Sequence, residues 1–359
     1  MPHARHVESI RTTLPDAVHA LLNHLLVSVV LLCVGVPAAV AADSRELLLA
    51  IYSVPKEAYE NRLIPTFKQQ WKQRTGQEIR IRSSYGASGA QARAIIGGFD
   101  ADVTALSVEG DVDQIVKAGL ITHDWRKAAD RGNVSASVVA FGVRKGNPKS
   151  IKTWEDLTKP GVEVLYPNPK TSGGAMWDII AMYGAGLKLA DAKQGTPEAQ
   201  AAGLIKRIQK NVKVMDKSGR ESVTTFERGV GDVIVTYENE LLPRITSGRP
   251  IELVLPAETI LIENPAALID RHVDKHQTRD VAEAFIAFLH SEDAQRAFAE
   301  YEFRTVSTAR AATSTSKSFS QPAHLFTIAD LGGWEKISSL LFSPQGVWTR
   351  AVEELARGK

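Results

Sequence analysis

The chain has 359 residues, of which 44% are hydrophobic, 23% charged and 7% aromatic, a balance that excludes disordered, collagen-like and disulfide-stapled architectures. Forty-three Lys and Arg against 41 Asp and Glu leave a formal charge of +2 with no long block of one sign, so the footprint of a nucleic-acid binder is missing. The length corresponds to about two domains of ~100–200 residues each.

The strongest apolar run is Leu25 to Val36 (LLVSVVLLCVGV), and no Asp, Glu, Lys or Arg occurs between Ala17 and Ala42. Such a run is short of the ~20 residues that cross a bilayer as a helix. Pro37 and a string of small residues, Ala38-Ala39-Val40-Ala41-Ala42, follow it. Residues 1–42 therefore read as a secretory signal peptide cut after Ala41 or Ala42. The single cysteine, Cys33, falls inside that segment, so the exported product is thiol-free, which suits an oxidising compartment. Leu32 stands where a lipid-attachment cysteine is preceded by a small residue, so no lipid anchor is expected. The expected product is soluble and periplasmic.

Beyond Asp43, short β-rich runs alternate with helical stretches. Leu47–Tyr52 reads as a strand, Lys56–Thr75 as a helix stopped by Gly76, and Glu78–Ser83 as a strand with period two. Ala90–Ile96 reads as a helix, Ala101–Leu106 as a strand, and Asp111–Ala118 as a helix ended by Gly119. A second unit begins at Ser137–Arg144, with strands expected at Val162–Tyr166, Val212–Met215 and Asp232–Tyr237. Helices are expected between them near Met176–Gly184, Pro197–Lys210 and Ser222–Arg228. Ile251–Leu255 and Ala266–Ile269 close the strand pattern, Arg279–Tyr301 reads as two amphipathic helices, and a Ser/Thr-rich segment after Ala311 precedes two last helices. The order implies an α/β protein with mostly parallel sheet flanked by helices. Two such units joined by crossing segments suggest two lobes with a ligand cleft between them.

Three Ser/Gly-rich elbows sit at strand-to-helix junctions: Ser83 to Ala90 (SSYGASGA), Asn168 to Ala175 (NPKTSGGA) and Asp216 to Ser222 (DKSGRES). A helix N-terminus has unpaired N–H groups and a partial positive charge, which seats an anion. Glycine lets the backbone approach closely, and serine adds a hydroxyl. Each elbow alone is also what a plain N-cap or tight turn looks like; the case rests on having three. GASGAQAR lacks the Gly-Lys-Ser/Thr ending of a P-loop, and no strand-linked G-x-G-x-x-G is present.

Enzyme signatures are weak. His123, His272, His276, His290 and His324 form no HExxH, and with no cysteine left a zinc site lacks its usual ligands. His272 and His276 lie four apart in RHVDKH, a charged stretch that reads as exposed. Ser88 has glycine on one side only and is no nucleophile elbow. Glu238 and Glu240 would point to opposite sides if the strand before them continued. No metal and no cofactor is called for.

The residues resemble the periplasmic sulfate-binding proteins that feed ABC importers. The resemblance runs from Leu47 to about Trp334 and is carried by SYGASGAQARAI, ADVTAL, VRKGNPK, TWEDLTKPGVEVLYPNPKTSGGAMW, FERGVGDV, YENE and LFTIADLGGW. It implies a two-lobed, type II periplasmic binding protein fold that closes over one dehydrated sulfate. Residues 43–136 with 257–330 would form lobe I, 137–256 lobe II, and 331–359 a C-terminal pair of helices. The implied ligands are the N–H of Ser53, the N–H and hydroxyl of Ser88, the Ser172 hydroxyl, the N–H groups of Gly173, Gly174 and Gly219, and Tyr237. Many relatives have an indole at this last position, and a phenol differs because it can also accept. Ser53 replaces an acidic residue, which a backbone donor tolerates. The implied partners are sulfate and the membrane permease of an ABC importer; a monomer is expected. Donors alone suit a proton-free dianion, whereas hydrogen phosphate needs an acceptor. Thiosulfate, molybdate or another tetrahedral oxyanion is the alternative ligand, and a hydrolase of sulfate or phosphate esters the remote one.

Overall fold

The computed structural model describes residues 45–306 and 319–358. The expected signal peptide with Cys33, and most of the Ser/Thr-rich segment after Ala311, lie outside the described residues. β1 (Glu46–Tyr52) is almost entirely apolar, and Leu47, Leu49, Ala50 and Ile51 are all buried, so both of its faces are covered. Lys56–Ala58, a π-turn at Tyr59–Leu63 and Ile64–Thr75 form one helical run, α1, with Phe67 and Trp71 buried. It stops at Gly76, whose φ of +72° is left-handed and whose N–H bonds back to Lys72 O at 2.8 Å.

β2 (Arg80–Gly86), α2 (Ser88–Ile96), β3 (Val103–Ala105) and α3 (Glu109–Lys117) complete the first flank, in which β2 and β3 both run parallel to β1. The long β4 (Asn133–Arg144) leads to β5 (Val164–Leu165), α4 (Gly173–Lys188), α5 (Pro197–Lys210), β6 (Val212–Val214), α6 (Gly219–Glu227), β7 (Val233–Tyr237), α7 (Glu238–Thr246) and β8 (Ile251–Val254). Here β6 and β7 run parallel to β5. β9 (Glu258–Leu268), α8 (Asp270–His276), α9 (Arg279–Leu289), α10 (Glu292–Glu300), β10 (His324–Phe326), α11 (Trp334–Phe342) and α12 (Val347–Arg357) follow.

The sheet order is β2-β1-β3-β9-β4-β7-β5-β6, with β10 on β9 and β8 on β4. The flanks are parallel, and the centre is antiparallel through β3–β9, β9–β4 and β4–β7. β4 pairs with β9 along its first half and with β7 and β8 along its second, so β4 and β9 tie the flanks together. The carboxyl ends of the six parallel flank strands lead into the Ser/Gly elbows, Ser53, Ser107 and Tyr237.

Several elements differ from the sequence reading. β2 runs on to Gly86, which shortens the first elbow to Ala87. β9 is eleven residues long, although Asn264-Pro265 reads as a break. Pro265 is tolerated because it sits opposite Asn133 at a register shift in the ladder, where a missing N–H disrupts little. The strand before Glu238 does not continue. Glu238 and Glu240 lie instead in α7, both buried; Glu238 pairs with Arg304, and Glu240 lies 3.1 Å from Arg244. His272 is not exposed: it is 7% accessible, with Nδ1 2.7 Å from Ala101 O, because α8 packs this face onto residues 100–102. His276 Nδ1 meets Asp102 Oδ1 at 2.8 Å, so this pair of histidines is engaged within the fold. Among the described residues, no helix is long and apolar enough to cross a membrane.

Candidate functional site

α2, α4 and α6 begin at the three elbows, and their N-termini meet at one cavity. Its lining includes Ser53, Ser88, Ser172, Gly174, Gly219 and Tyr237, six of the seven residues singled out in the sequence. The seventh, Gly173, packs beside it: a Cβ there would lie 2.9 Å from Ser107 and 3.2 Å from Ser88. A side chain at position 173 would hold the two elbows apart, which is why glycine is needed. Gly174 and Gly219 also present bare backbone to the space, where first-turn N–H groups have no intrahelical partner.

The caps decide which hydroxyls are free to donate. Ser172 is the N-cap of α4, and its Oγ accepts from Ala175 N at 3.4 Å, leaving its own hydrogen for a ligand. Ser218 caps α6 by accepting from Glu221 N at 3.2 Å. Glu221 in turn accepts from Lys217 N at 3.1 Å, so this acidic residue closes the cap and does not line the cavity. Ser88 is not a cap; that position is Ala87. Its Oγ accepts from Ser107 N at 3.0 Å and donates to Asp111 Oδ2 at 2.5 Å.

Tyr237 ends β7, is buried, and shares a hydrogen bond of 2.6 Å with Ser107 Oγ. Ser107 is the residue that sequence reasoning missed. Its carbonyl accepts from Trp177 Nε1 at 2.8 Å and from Asn264 Nδ2 at 3.0 Å, which fixes it between the elbows. Tyr52 lines the cavity too, and its hydroxyl donates to Asn264 Oδ1 at 3.0 Å. Burial, with the neighbouring tyrosines, holds the Tyr52 and Tyr237 phenols well above their usual range, so both stay protonated. Ser53 follows β1, and its carbonyl accepts from Arg220 Nε at 3.3 Å. The Arg220 guanidinium is spent on Glu57, with bonds of 2.8 and 2.6 Å.

None of the lining residues is Lys, Arg or His. The one ionisable carboxyl in the lining is Asp178, one turn above Gly174 on α4, and the elbow sequences gave no sign of it. It is 1% accessible, and neither oxygen has a hydrogen-bond partner. Burial raises its pKa well above the carboxylate range, so it sits in the cavity as a neutral acid rather than as a charge that would repel an anion. A raised carboxyl pKa means that stability is lost as pH climbs from the unfolded value towards the folded one. Asp178→Asn is therefore expected to be more stable than the parent at pH 8 and to lose that advantage near pH 4. Denaturant melts at the two pH values measure it, and equal gaps at both would refute the assignment.

The pattern of the bacterial extracellular solute-binding proteins matches residues 47–304. The sulfate-binding protein of Synechococcus elongatus is 42% identical over 88% of this chain and 88% of its own length. The thiosulfate-binding protein of Escherichia coli is 34% identical over 85% of this chain and 90% of its own. The solved structure of the sulfate-binding protein SubI from Mycobacterium tuberculosis superposes with a TM-score of 0.73 at 36% identity, covering 83% of this chain and all of that one.

Proposed function

The chain belongs to the bacterial extracellular solute-binding proteins, and on that premise we propose that it is a non-enzymatic receptor that captures sulfate in the periplasm and delivers it to an ABC importer. The observation that carries this reading is the meeting of three helix N-termini at a cavity lined by hydroxyls and backbone N–H groups, without one cationic side chain. A proton-free dianion needs donors only, and these are donors. Relatives named for sulfate, aligned over most of both chains, support the choice of ion.

In this reading the N–H groups of Ser53, Ser88, Gly173, Gly174 and Gly219 and the hydroxyls of Ser172 and Tyr237 surround the ion, joined by Ser88 when its hydrogen is free. Stripping water from a dianion is costly, and several charge-assisted hydrogen bonds of ~1.5–3 kcal/mol each offset it. Residues 43–136 with 257–330 form one lobe and 137–256 the other, and closing them brings Gly173 against Ser107 and Ser88. The Glu57–Arg220 pair then spans the lobes as a latch. Its side chains are 48% and 32% exposed, so Glu57→Gln is expected to weaken sulfate only about two- to five-fold. A loss of a hundred-fold would instead place Arg220 among the ligands.

Calorimetry of sulfate against residues 43–359 tests the proposal. At 100 times the dissociation constant, bound sulfate should add ~2.7 kcal/mol of stability. No heat and no thermal shift would refute it. Thiosulfate is the second reading, favoured by the relative named for it, and the same titration ranks the two ions.

A further inference from the structure

Ser88 is a ligand whose hydrogen is already committed. Its Oγ accepts from Ser107 N at 3.0 Å and donates to Asp111 Oδ2 at 2.5 Å, and both side chains are buried, at 2% and 4% exposure. A hydroxyl has one hydrogen, so it cannot serve Asp111 and an oxyanion at once. The conflict disappears if the proton between Oγ and Oδ2 belongs to the carboxyl. Oγ would then accept from both Ser107 and Asp111, and the Ser88 hydrogen would turn into the cavity.

We propose that Asp111 is a positioning residue for oxyanion binding: ionised, it withholds the Ser88 hydrogen, and protonated, it releases that hydrogen to the bound ion. This rests on the oxyanion-receptor reading above. The proton balance is simple, since binding takes one proton from solvent onto Asp111 Oδ2 and returns it on release. The surroundings favour such a change. Burial pushes the Asp111 carboxyl up to about 6, against the opposing pull of the Ser88 hydrogen bond and of the Arg93 charge. Arg93, on α2, is the one charge that acts on it through space, and its Nη1 is bonded to Lys170 O at 3.3 Å. On its own helix, Glu109 and Asp113 are held by Arg126, and Gln114 Nε2 donates to Oδ1 at 3.3 Å. The other elements packed on α3 are β9 and α11; their charged groups, Glu258, Glu263, Glu335 and Lys336, add no pull on Asp111. A dianion arriving beside Ser88 raises the carboxyl further, so ligand and proton favour one another.

The test is sulfate calorimetry from pH 5 to 8 in two buffers of different ionisation enthalpy. The ion itself carries no proton in this range. Affinity should rise about ten-fold or more from pH 8 to pH 5, the worth of roughly one hydrogen bond, with proton uptake near neutrality. Asp111→Asn, whose amide can donate to Ser88 Oγ, should bind at all pH values as the parent does at pH 5. Ser88→Ala should bind more weakly with a flat profile. Asp178 also faces the cavity, so the profile is repeated in Asp178→Asn, which should keep the parent's slope. A flat parent profile with sulfate bound, or an unchanged slope in Asp111→Asn, overturns the inference alone. Absence of sulfate binding at every pH overturns the receptor reading beneath it.

Discussion

Gly173→Asp is expected to abolish sulfate binding, with a loss of at least about a hundred-fold in affinity, equivalent to two or more charge-assisted hydrogen bonds. Two effects act together. A Cβ at this position meets Ser107 Cβ and Oγ at 2.9 Å and Ser88 Cβ at 3.2 Å, so the elbows of α2 and α4 cannot close to their present distance. The added carboxylate also enters a cavity whose only carboxyl, Asp178, is kept neutral by burial. Gly173→Ala separates the two, since it keeps the clash and omits the charge, and should lose less. Calorimetry on both variants, with thermal melts to show that they fold, makes the comparison. Affinity within three-fold of the parent in Gly173→Asp would remove position 173 from the site.

Arg304→Ala is expected to destabilise the protein by about 3–5 kcal/mol, the usual cost of removing one member of a buried ion pair. Arg304 is 3% accessible, and its guanidinium holds both oxygens of Glu238, the first residue of α7 and the one after Tyr237. Nη2 also donates to Ser320 O at 2.7 Å, and the Arg304 backbone pairs with Ala136 of β4. Burial already raises the Glu238 pKa, and Arg304 opposes that rise. Without the arginine the carboxyl moves higher still, so the deficit should grow with pH as the folded state holds a proton that the unfolded chain releases. Denaturant titrations at pH 5 and pH 8 read both size and slope. The double variant Arg304→Met, Glu238→Gln should recover part of the loss, because no unpaired charge remains buried. A deficit below 1 kcal/mol, or one that shrinks at pH 8, would contradict this account.

The flank strands were legible because apolar runs such as LLLAIY and VIVTY have no helical periodicity and lie between turn residues. Helix ends were legible where glycine marks them, as at Gly76 and Gly119, both with positive φ. The central β9 was only half legible: Asn264-Pro265 mimics a loop, and only the facing irregularity in β4 makes room for it. α7 was missed because ENELLPRIT carries Pro243 inside it and follows a strand without a break.

The site divides in the same way. The three elbows announce themselves as local patterns, and each of the seven residues chosen from them lines the cavity or packs against it. Ser107, Asp111 and Asp178 stand in ordinary stretches, and nothing near them in sequence marks them. They matter through partners 19 to 130 residues away, as in Ser107 with Ser88 and with Tyr237. Such contacts are properties of the tertiary structure, not of any local run.

The pairing of β3 with β9 joins Val103 to Leu268. On a ribosome, the first flank must therefore wait for some 160 further residues before its inner edge is covered, whereas β5, β6, β7 and β8 leave the exit tunnel within one continuous stretch. The later-made flank is free to set first, with the earlier one held open beside it, and an exposed strand edge of that kind is where a nascent chain is most prone to pair wrongly.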